Sequence, residues 1–485
     1  MITSLQHFQS KGVKNIQKVF DTFGEDMSKM AEMIYGVTKE VTKLGLSMIA
    51  EEFESYDQLL RERKHIRQGW YIVRQDETTL TTSLGDVVYK KTLFRNKENG
   101  TYSYLLDELM GIASHTRITE DAVARILDEA VESSYRKGGQ NACITGGNIS
   151  KMTVLNKIHA LEFPEIQSVG EKKKVESLYI DADEDHVSLQ YLETKGDIKK
   201  TRSNTIMPRI VYVYEGVDTE EDGRVKLVNI RYFGGVYEGT DGIRKLWDEV
   251  YKYIENTYDT NILKQIYING DGAAWIKSGV KYIAHSKFVL DKYHMHKYIM
   301  TATAHLEDSA DDARSEIYRA IYKKKKWMAE GTFDKILSVT EKESKYKAVQ
   351  AAKEYILANW SGIMLSMKSK DENIQCSAEG HVSHVYADRM SSRPLGWSRT
   401  GADKMSRLRI YWMNGGNMLD LVRYQKQELP MAAGAEEVIC SASEMMGAER
   451  ANQKRLGNLA DLPAYSIPYP QIKKIAALKN HIWGL

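Results

Sequence analysis

Three acidic residues that lie far apart in this chain of 485 residues have the type and the local setting of metal ligands. Asp181 in LYIDADEDHVSLQ and Asp271 in IYINGDGAAWI each follow a run rich in β-branched and aromatic residues, which predicts a buried strand that ends at the acid. Glu379 in CSAEGHVSH is expected to open a helix. Mg²⁺ and Mn²⁺ prefer oxygen ligands, and two such ions about 4 Å apart can hold the attacking and leaving oxygens of a phosphoryl transfer. The three acids therefore predict a two-metal phosphodiester site.

Each acid taken singly also fits a simpler interpretation. Asp181, Asp183, Glu184 and Asp185 could form the turn after a strand, and Asp271 stands in a Gly-Asp-Gly turn. Asp183 is also an alternative ligand to Asp181, because a two-residue step leaves both side chains on one face of a strand. The position of Asp181 at the end of the apolar run favours Asp181.

The order of elements around the acids favours the metal-site interpretation. A first strand is followed by two more strands, a helix, two further strands and the helix of Glu379. The segments concerned are residues 178–180, 209–214, 226–233, 243–258, 266–269 and 287–290. This is the serial layout of the ribonuclease-H-like fold, with one acid on the first strand and one after the fourth. We therefore predict an α/β protein with a mixed catalytic sheet, although fold alone does not fix function.

Four long motifs in this chain resemble a known family. The phrases YIDADEDHVSLQ, YINGDGAAWIKSG, FVLDKYHMHKYI and CSAEGHVSHVYADRMSSRPLGWS resemble the ISLre-type family of bacterial insertion-sequence transposases, within the Mutator-like branch of DDE enzymes. By that resemblance Asp181, Asp271 and Glu379 look like the DDE triad. The Asp291-Lys-Tyr-His294 step looks like the Cys/Asp-x-x-His signature of related transposases. Because Asp replaces the more common Cys, zinc ligation is not suggested.

The resemblance implies a DNA transposase that binds the terminal inverted repeats of its element and uses two Mg²⁺ or Mn²⁺ ions for cleavage and strand transfer. Its expected partners are double-stranded DNA, as element ends and target, and further copies of itself in a homodimer or higher oligomer. Two other functions stay open. One is a ribonuclease-H-like nuclease or resolvase without strand transfer, and the other is a domesticated DNA-binding protein.

The interval between Asp271 and Glu379 is far longer than one strand and one helix need. Residues 292–370 are almost free of Gly and Pro and carry helical periodicity, which predicts an all-helical insertion. Within it a basic run could follow a DNA backbone while its tryptophan stacks on an exposed base. The alternative is a solvated helix face. The residues of this run are Lys323, Lys324, Lys325, Lys326 and Trp327.

The N-terminal third of the chain is predicted to form two regions. Residues 1–68 have apolar residues at three- and four-residue steps, and glycines favour several short helices that pack within the chain or form a dimer contact. Residues 69–170 combine a β-ribbon with a helix from Thr119 that Gly138 and Gly139 would stop, and a second helix from Ser150. This pair resembles a helix-turn-helix, against an alternative of ordinary packing. Its candidate DNA contacts are Lys151, Thr153, Asn156 and Lys157.

Two further groups of residues near Glu379 are candidates. His381 could orient DNA or an acid, as could His294, although core hydrogen bonding is the simpler role for each. Basic residues that follow Glu379 could hold the cleaved strand. They include Arg389, Arg393 and Arg399.

Composition agrees with this interpretation without proving it. The net charge of +2 is only mildly basic, so a DNA-binding surface must come from local clustering. Three cysteines without paired spacing argue against a zinc ribbon or a disulfide framework. No apolar run reaches the roughly 20 residues of a membrane span, and the first residues lack a signal-peptide core, which predicts a cytoplasmic protein without membrane contact.

These patterns divide the chain into five predicted regions. The catalytic domain is expected to comprise residues 171–291 and 371–425, interrupted by the helical insertion at 292–370. Residues 1–68 and 69–170 precede it, and 426–485 form a C-terminal tail region.

Overall fold

The computed structural model describes residues 2–165, 170–191, 204–219, 225–368, 376–393 and 395–427. The chain divides into two compact units. The first contains residues 2–122 and 143–145, and the second contains residues 123–142 with the described part of 146–428. Most of the predicted tail region, from residue 428 onward, lies outside the described residues.

The first unit combines N-terminal helices with a small antiparallel sheet. Its helices are α1 (Ile2–His7), α2 (Val13–Glu25), α3 (Met30–Glu62) and α4 (Leu105–Leu109), with a π-helical turn at Phe8–Gly12. Its strands are β1 (Trp70–Thr81), β2 (Asp86–Asn96) and β3 (Tyr102–Ser103), paired in that order. The sheet thus contains the β-ribbon that the sequence indicates.

The N-terminal glycines do not break the helices as expected. Helix α3 runs for 33 residues through Gly36 and Gly45. A Cβ at Gly36 would lie 2.7 Å from a methyl group of Val19 on α2, which is closer than packed carbon atoms approach. Glycine therefore serves here as a close-contact point between two helices, which a propensity argument cannot reveal.

A buried carboxylate joins α3 to the ribbon. Asp57 accepts hydrogen bonds from the backbone N–H and the hydroxyl of Thr92 on β2, at 2.7 and 2.6 Å. Leu60, Phe94 and Leu106 close the core around this contact. Such pairing offsets the cost of removing a charge from water.

The second unit is built on a mixed sheet. Its strands are β4 (Ser177–Glu184), β5 (Val187–Ser188), β6 (Thr205–Ile206), β7 (Arg209–Tyr214), β8 (Gly216–Thr219), β9 (Val225–Val228), β10 (Arg231–Gly235), β11 (Gln265–Gly270) and β12 (Ser286–Leu290). Among the described residues, five of these form the central sheet in the order β10-β7-β4-β11-β12. β4, β7 and β10 pair antiparallel, whereas β11 and β12 run parallel to β4.

The first strand of the central sheet in chain order, β4, extends further than the sequence indicates. Its apolar run predicts an end at Asp181, but β4 continues to Glu184. Asp181 consequently lies inside the strand, between Tyr212 of β7 and Asn269 of β11. The prediction that Asp181 is a strand-end residue is wrong, because pairing with two neighbours carries the strand through polar positions.

The helices of the second unit cover the sheet and extend beyond it. They are α5 (Glu120–Glu132, which begins in the first unit), α6 (Tyr135–Gln140), α7 (Lys151–His159), α8 (Gly239–Thr257), α9 (Ala274–Ser278), α10 (Lys292–Thr303), α11 (Ala310–Tyr322), α12 (Lys326–Ser338), α13 (Glu343–Ala358), α14 (Trp360–Lys368), α15 (Ala378–Val382), α16 (Asp388–Met390), α17 (Arg399–Met413) and α18 (Met418–Gln427). A π-helical turn at Ser383–Ala387 separates α15 from α16.

The sheet and the helical segment have separate apolar clusters. Trp247 of α8 is fully buried against the sheet, and its indole N–H donates to the Trp275 carbonyl at 3.0 Å. Helices α10 to α14 occupy the segment predicted to be helical, and they enclose their own cluster around Ile299, Phe333 and Ile356. Each part therefore has an apolar core of its own.

The two helices predicted as a helix-turn-helix differ from expectation at their junction. α5 ends at Glu132, and Gly138 and Gly139 lie inside α6 instead of ending a helix. A Cβ at Gly139 would lie 2.1 Å from the Ile149 carbonyl oxygen, so this glycine permits close approach of the chain before α7. Ser150 caps α7, as its sequence position indicates, by accepting from the Thr153 N–H at 3.1 Å.

None of the helices in the described part of the chain combines the length and the apolar character needed to cross a bilayer.

Candidate active site

Three acidic residues lie at the carboxyl ends of three adjacent parallel strands. Asp183 is the penultimate residue of β4, Asp271 directly follows β11, and Asp291 directly follows β12. The Asp291 N–H donates to the Gly270 carbonyl at 3.0 Å, which fixes the last two strand ends side by side. Because parallel strands end at one edge of a sheet, their backbones bring these acids together.

The environment of Asp183 strongly perturbs its carboxyl group. Burial raises the pKa of its carboxyl to about 7, and the nearby Asp271 carboxylate also raises it, while the Glu184 backbone N–H and His294 lower it. The effect of Asp271 means that the two carboxylates are close enough to repel each other. Such a pair favours either a proton or a cation between its members.

Few donors compete for these two carboxylates. Asp183 Oδ1 accepts from the Glu184 N–H at 2.8 Å, and Asp271 Oδ1 accepts from the Ala273 N–H at 2.8 Å. Among the described residues, neither Oδ2 atom receives a hydrogen bond. Both side chains are only partly buried, so these oxygens remain available to a ligand.

His294 lies beside the acids and is hydrogen-bonded to one of them. Its Nδ1–H donates to Asp291 Oδ2 at 2.8 Å, and Asp291 Oδ1 caps α10 by accepting from the Tyr293 N–H at 3.0 Å. The hydrogen bond to Asp291 raises the pKa of His294 against the opposing effect of burial, and the charges of Asp271 and Asp183 raise it further. The Asp291–His294 step is therefore a hydrogen-bonded pair at the edge of the acidic cluster, and the neighbouring acids favour the protonated form of His294.

Asp181 has a different environment. It is fully buried, and its carboxylate accepts from the Tyr212 hydroxyl at 2.8 Å, the Tyr214 hydroxyl at 3.2 Å and the Asn269 amide at 2.7 Å. It also accepts from the Ser377 backbone N–H at 2.9 Å and from the Ser377 hydroxyl at 3.3 Å. A carboxylate has about four lone-pair directions, so these donors occupy it fully.

Burial outweighs the hydrogen-bond donors of Asp181, so the pKa of its carboxyl stays above the ordinary value. Burial raises the pKa of Asp181, and the hydrogen bonds from Ser377, Asn269, Tyr212 and Tyr214 lower it. Burial together with the Asp181 charge raises the pKa of both tyrosines far above the ordinary range, so their hydroxyls keep the protons that they donate. Asp181 thus connects three strands to the segment that precedes Glu379.

Glu379 lies on the short helix α15, and its side chain is exposed. Burial raises the pKa of the thiol of the preceding Cys376, and the charges of Asp181, Asp291 and Asp183 raise it further. The start of the Glu379 segment is therefore close to the acidic edge of the sheet. Within the described residues, however, no three His, Cys, Asp or Glu side chains are grouped tightly enough to enclose a metal ion.

His381 packs into the tyrosine cluster. Its Nδ1 is 2.7 Å from the Tyr232 hydroxyl, and its ring centroid is 4.4 Å from that of Tyr212. Burial lowers the pKa of His381 to about 4, with a further lowering from His384, so the ring is neutral near pH 7. This is the core hydrogen-bonding role that the sequence left open.

The helical segment supports the loop of Asp271 directly. The Tyr355 hydroxyl of α13 donates to the Asp271 carbonyl, and the Asn359 side chain packs against Gly272. Gly272 has a φ of +89°, and a Cβ there would lie 2.9 Å from Asn359 Oδ1. Sequence reasoning missed Tyr355 and Asn359. The Gly-Asp-Gly sequence indicates a turn, but nothing local points to partners that lie so far along the chain.

The candidate DNA contacts divide into exposed and structural residues. Lys151, Asn156 and Lys157 are exposed on α7, while Thr153 is partly buried. Lys323 to Trp327 lie at the junction of α11 and α12, where Trp327 is 68% exposed and Lys325 Nζ is 5.8 Å from its ring centroid. The junction therefore presents a basic and aromatic surface.

The basic residues after Glu379 divide between the interior and the surface of the fold. Arg389 is buried, donates to the Ala130 carbonyl at 3.1 Å and lies over the rings of Tyr135 and Trp397, which contradicts the expectation that it contacts DNA. Arg399 forms a two-contact ion pair with Glu238 at 2.9 and 3.0 Å. Arg393 is exposed. A run of arginines in the sequence does not reveal which of them are buried.

The contrast between the two acids of β4 predicts opposite effects on stability. Asp181→Ala would leave several buried donors without an acceptor and should lower the free energy of unfolding by about 3 kcal/mol. Asp183→Ala removes a partly buried charge that is repelled by Asp271, so at pH 8 without divalent ions it should leave stability unchanged or raise it. Urea unfolding of both variants measures this difference. Equal destabilisation by the two substitutions would contradict the assignment.

Comparison with known proteins places the chain in a family. A family model described as "Uncharacterised protein family (UPF0236)" matches residues 24–428. A UPF0236 protein of Caldanaerobacter subterraneus subsp. tengcongensis, whose name joins four locus designations, is 38% identical over 417 residues, covering 85% of this chain and 85% of the relative. Another UPF0236 protein from the same organism has a name that joins eleven locus designations. It is 36% identical over 417 residues, which cover 86% of this chain and 85% of the relative. The chain therefore belongs to the UPF0236 family.

Proposed function

We propose that this protein is a DDE-type DNA transposase that binds the terminal inverted repeats of its element and catalyses metal-dependent DNA cleavage and strand transfer. One observation carries the proposal. Asp183 and Asp271 lie at adjacent strand ends, near enough for the Asp271 charge to raise the pKa of Asp183, and each has a carboxylate oxygen without a hydrogen-bond donor among the described residues.

The sheet order supports this proposal. Three antiparallel strands are followed through a long helix by two strands parallel to the first, in the order β10-β7-β4-β11-β12. This is the arrangement expected of a ribonuclease-H-like core, with acids near the end of its first strand and after its fourth. A fold supplies only the framework, so catalysis depends on the carboxylates.

We assign the first acid of the triad to Asp183 instead of Asp181. Every lone-pair direction of Asp181 is taken by a neighbouring donor, whereas Asp183 is partly exposed at the strand end beside Asp271. Glu379 would supply the third carboxylate from the helix whose preceding residue, Ser377, is bonded to Asp181. Asp181 is then a positioning residue that fixes this segment to the sheet.

The carboxylates fit two hard divalent cations, Mg²⁺ or Mn²⁺. Such ions would stabilise charge on the reacting phosphate and lower the pKa of the attacking water. Asp183, Asp271 and Glu379 would hold them. The Asp291–His294 pair would keep a positive charge close to the DNA phosphates, and Tyr355 and Asn359 would hold the Asp271 loop in place.

Two phosphoryl transfers describe the reaction. In cleavage, the oxygen of water bonds to phosphorus as the bond from phosphorus to O3′ breaks, which leaves a 5′ phosphate and a free 3′ hydroxyl. In strand transfer, that hydroxyl bonds to a target phosphorus as the target's own bond to O3′ breaks. The second step exchanges one phosphodiester for another, so it requires no nucleotide triphosphate.

The relatives add independent support. One relative's name joins eleven locus designations of a single genome. Many copies in one genome are expected of a gene that moves its own DNA and are unusual for a housekeeping enzyme. The exposed basic surfaces of α7 and of the junction between α11 and α12 would follow the DNA backbone.

Substitution of the acids tests the assignment. Asp183→Asn, Asp271→Asn and Glu379→Gln should each reduce cleavage of element-end DNA by about a thousandfold or more, while DNA binding persists. Asp181→Asn should keep cleavage within about tenfold, because a rotated Asn269 amide can accept from the new amide group. The Asn269 Oδ1 atom is buried without a partner among the described residues, so it is available for this exchange.

The assay combines labelled DNA from the ends of the native element with a target plasmid and Mg²⁺. Joined products identify a transposase, whereas cleavage without joining identifies a nuclease or resolvase, and binding without nicking identifies a domesticated DNA-binding protein. A reversed order, with Asp183→Asn active and Asp181→Asn inactive, would overturn the assignment of the first acid.

The basic junction in the helical segment is predicted to bind the DNA backbone. Lys324→Gln combined with Lys325→Gln should weaken DNA binding and reduce the slope of log affinity against log salt by about 2. Lys342→Gln combined with Lys345→Gln is the matched control, since it removes the same charge from an exposed stretch that also carries Glu341 and Glu343. Fluorescence anisotropy between about 50 and 200 mM salt measures both. An identical slope in the two double variants would exclude this surface.

A further inference from the structure

The helical hairpin formed by α2 and α3 in the first unit has an unusual surface. The two helices are antiparallel neighbours, since Val19 packs against Gly36 and the Asn15 amide donates to Glu40 at 3.1 Å. Besides Tyr35, which is 70% exposed, six large apolar side chains of this hairpin are 45–72% exposed. They are Val13, Phe20, Met27, Met30, Ile34 and Val41.

Helical geometry places five of these side chains, all except Met27 of the turn, on one side of the hairpin. The residues of α2 that face α3 include Ile16, Val19 and Phe23, and Val13 and Phe20 follow them by about a quarter turn at 100° per residue. In α3, Ile34 and Val41 stand at the same angle from the inward-facing Met33 and Val37. The two helices run in opposite directions. An equal rotation about each helix axis, away from the surface that faces the other helix, therefore points to the same side of the hairpin.

We call this side the apolar face, defined by Val13, Phe20, Met27, Met30, Ile34 and Val41, with Met27 and Met30 at the tip of the hairpin. Its other helical positions, Gln17, Gly24 and Thr38, are uncharged. In α3 the charged residues Glu32, Lys39 and Lys43 lie on the opposite side of the hairpin. In α2 the charged residues lie mainly on the edge that points away from α3, and they include Lys14, Lys18, Asp21 and Glu25. The apolar face itself therefore carries no charged side chain.

We propose that the apolar face is the surface through which two copies of this chain associate. A half-exposed large apolar side chain contributes roughly 70–80 Å², so the six would bury about 450 Å² from each chain and about 1,000 Å² in total with their neighbours. That area reaches the lower limit for a specific interface. A contiguous apolar patch of this size also differs from the single scattered apolar residues that are normal on a protein surface.

The absence of charge on this face favours a second copy over other occupants. In a twofold dimer each residue of the face meets the same surface, so any charge near the axis would face its own copy. A neutral face meets itself without such repulsion. DNA is not the partner, because phosphates require cationic side chains and this face carries none.

Sedimentation of the purified full-length chain tests the proposal without depending on transposase activity. The wild type should have twice the 55.4 kDa chain mass, and Phe20→Glu combined with Ile34→Glu should have the monomer mass. Lys18→Gln combined with Lys39→Gln changes the charge by the same amount away from the apolar face and should remain dimeric. Circular dichroism would verify folding, and Phe20→Gln with Ile34→Gln would replace the first variant if that variant unfolds.

Three results would overturn the proposal. A monomeric wild type at about 50 µM would exclude a stable dimer, whatever else covers the face. Dimers of both the Glu and the Gln variants would locate self-association elsewhere. A monomer that instead binds phosphatidylcholine vesicles through Phe20 and Ile34 would identify a lipid surface as the occupant.

Discussion

The second unit depends on the hydrogen bonds that surround the fully buried carboxyl group of Asp181. An ionised carboxylate removed from water costs several kcal/mol unless donors replace its hydration. Here the donors come from β7, from β11 and from the backbone of Ser377, so the charge is tolerated only when all these elements are in place. The same bonds therefore stabilise the sheet and fix the start of the segment that carries Glu379. Two residues further along β4, on the same face, Asp183 reaches the strand end beside Asp271.

The surrounding structure concentrates negative charge at one edge of the sheet. Parallel pairing of β4, β11 and β12 brings three acids together, and the hydrogen bond between Tyr355 and the Asp271 carbonyl braces one of them from a separate helical core. The raised pKa of Asp183 reflects the free-energy cost of this arrangement without a cation. Ionised carboxylates at this edge repel each other when no cation is bound, and a divalent cation would relieve that repulsion. This gives a physical reason for a cluster of acids at a metal site.

Much of this framework could be predicted from the sequence. Apolar runs located β4, β7, β11 and β12. Asp181, Asp183 and Asp271 were identified from residue type and position, whereas Asp291 came from the family resemblance. The end of β4 could not be predicted, because pairing on both sides extends it through Asp183, and the predicted end at Asp181 favoured Asp181 over Asp183. The partners of Asp181 were also hidden, since Tyr212 and Ser377 are distant in the chain. Gly36 and Arg389 show the same limit, because their roles depend on neighbours that only the folded chain brings near.

A crystal structure of the protein grown with Mn²⁺ and element-end DNA, with anomalous scattering recorded for manganese, tests the central claim most directly. We expect anomalous peaks within bonding distance of about 2.2 Å from carboxylate oxygens of Asp183 and Asp271, while Asp181 keeps its hydrogen bonds to Tyr212 and Ser377. Manganese bound by Asp181 in place of Asp183, or an acidic edge that binds DNA without any metal, would contradict this account.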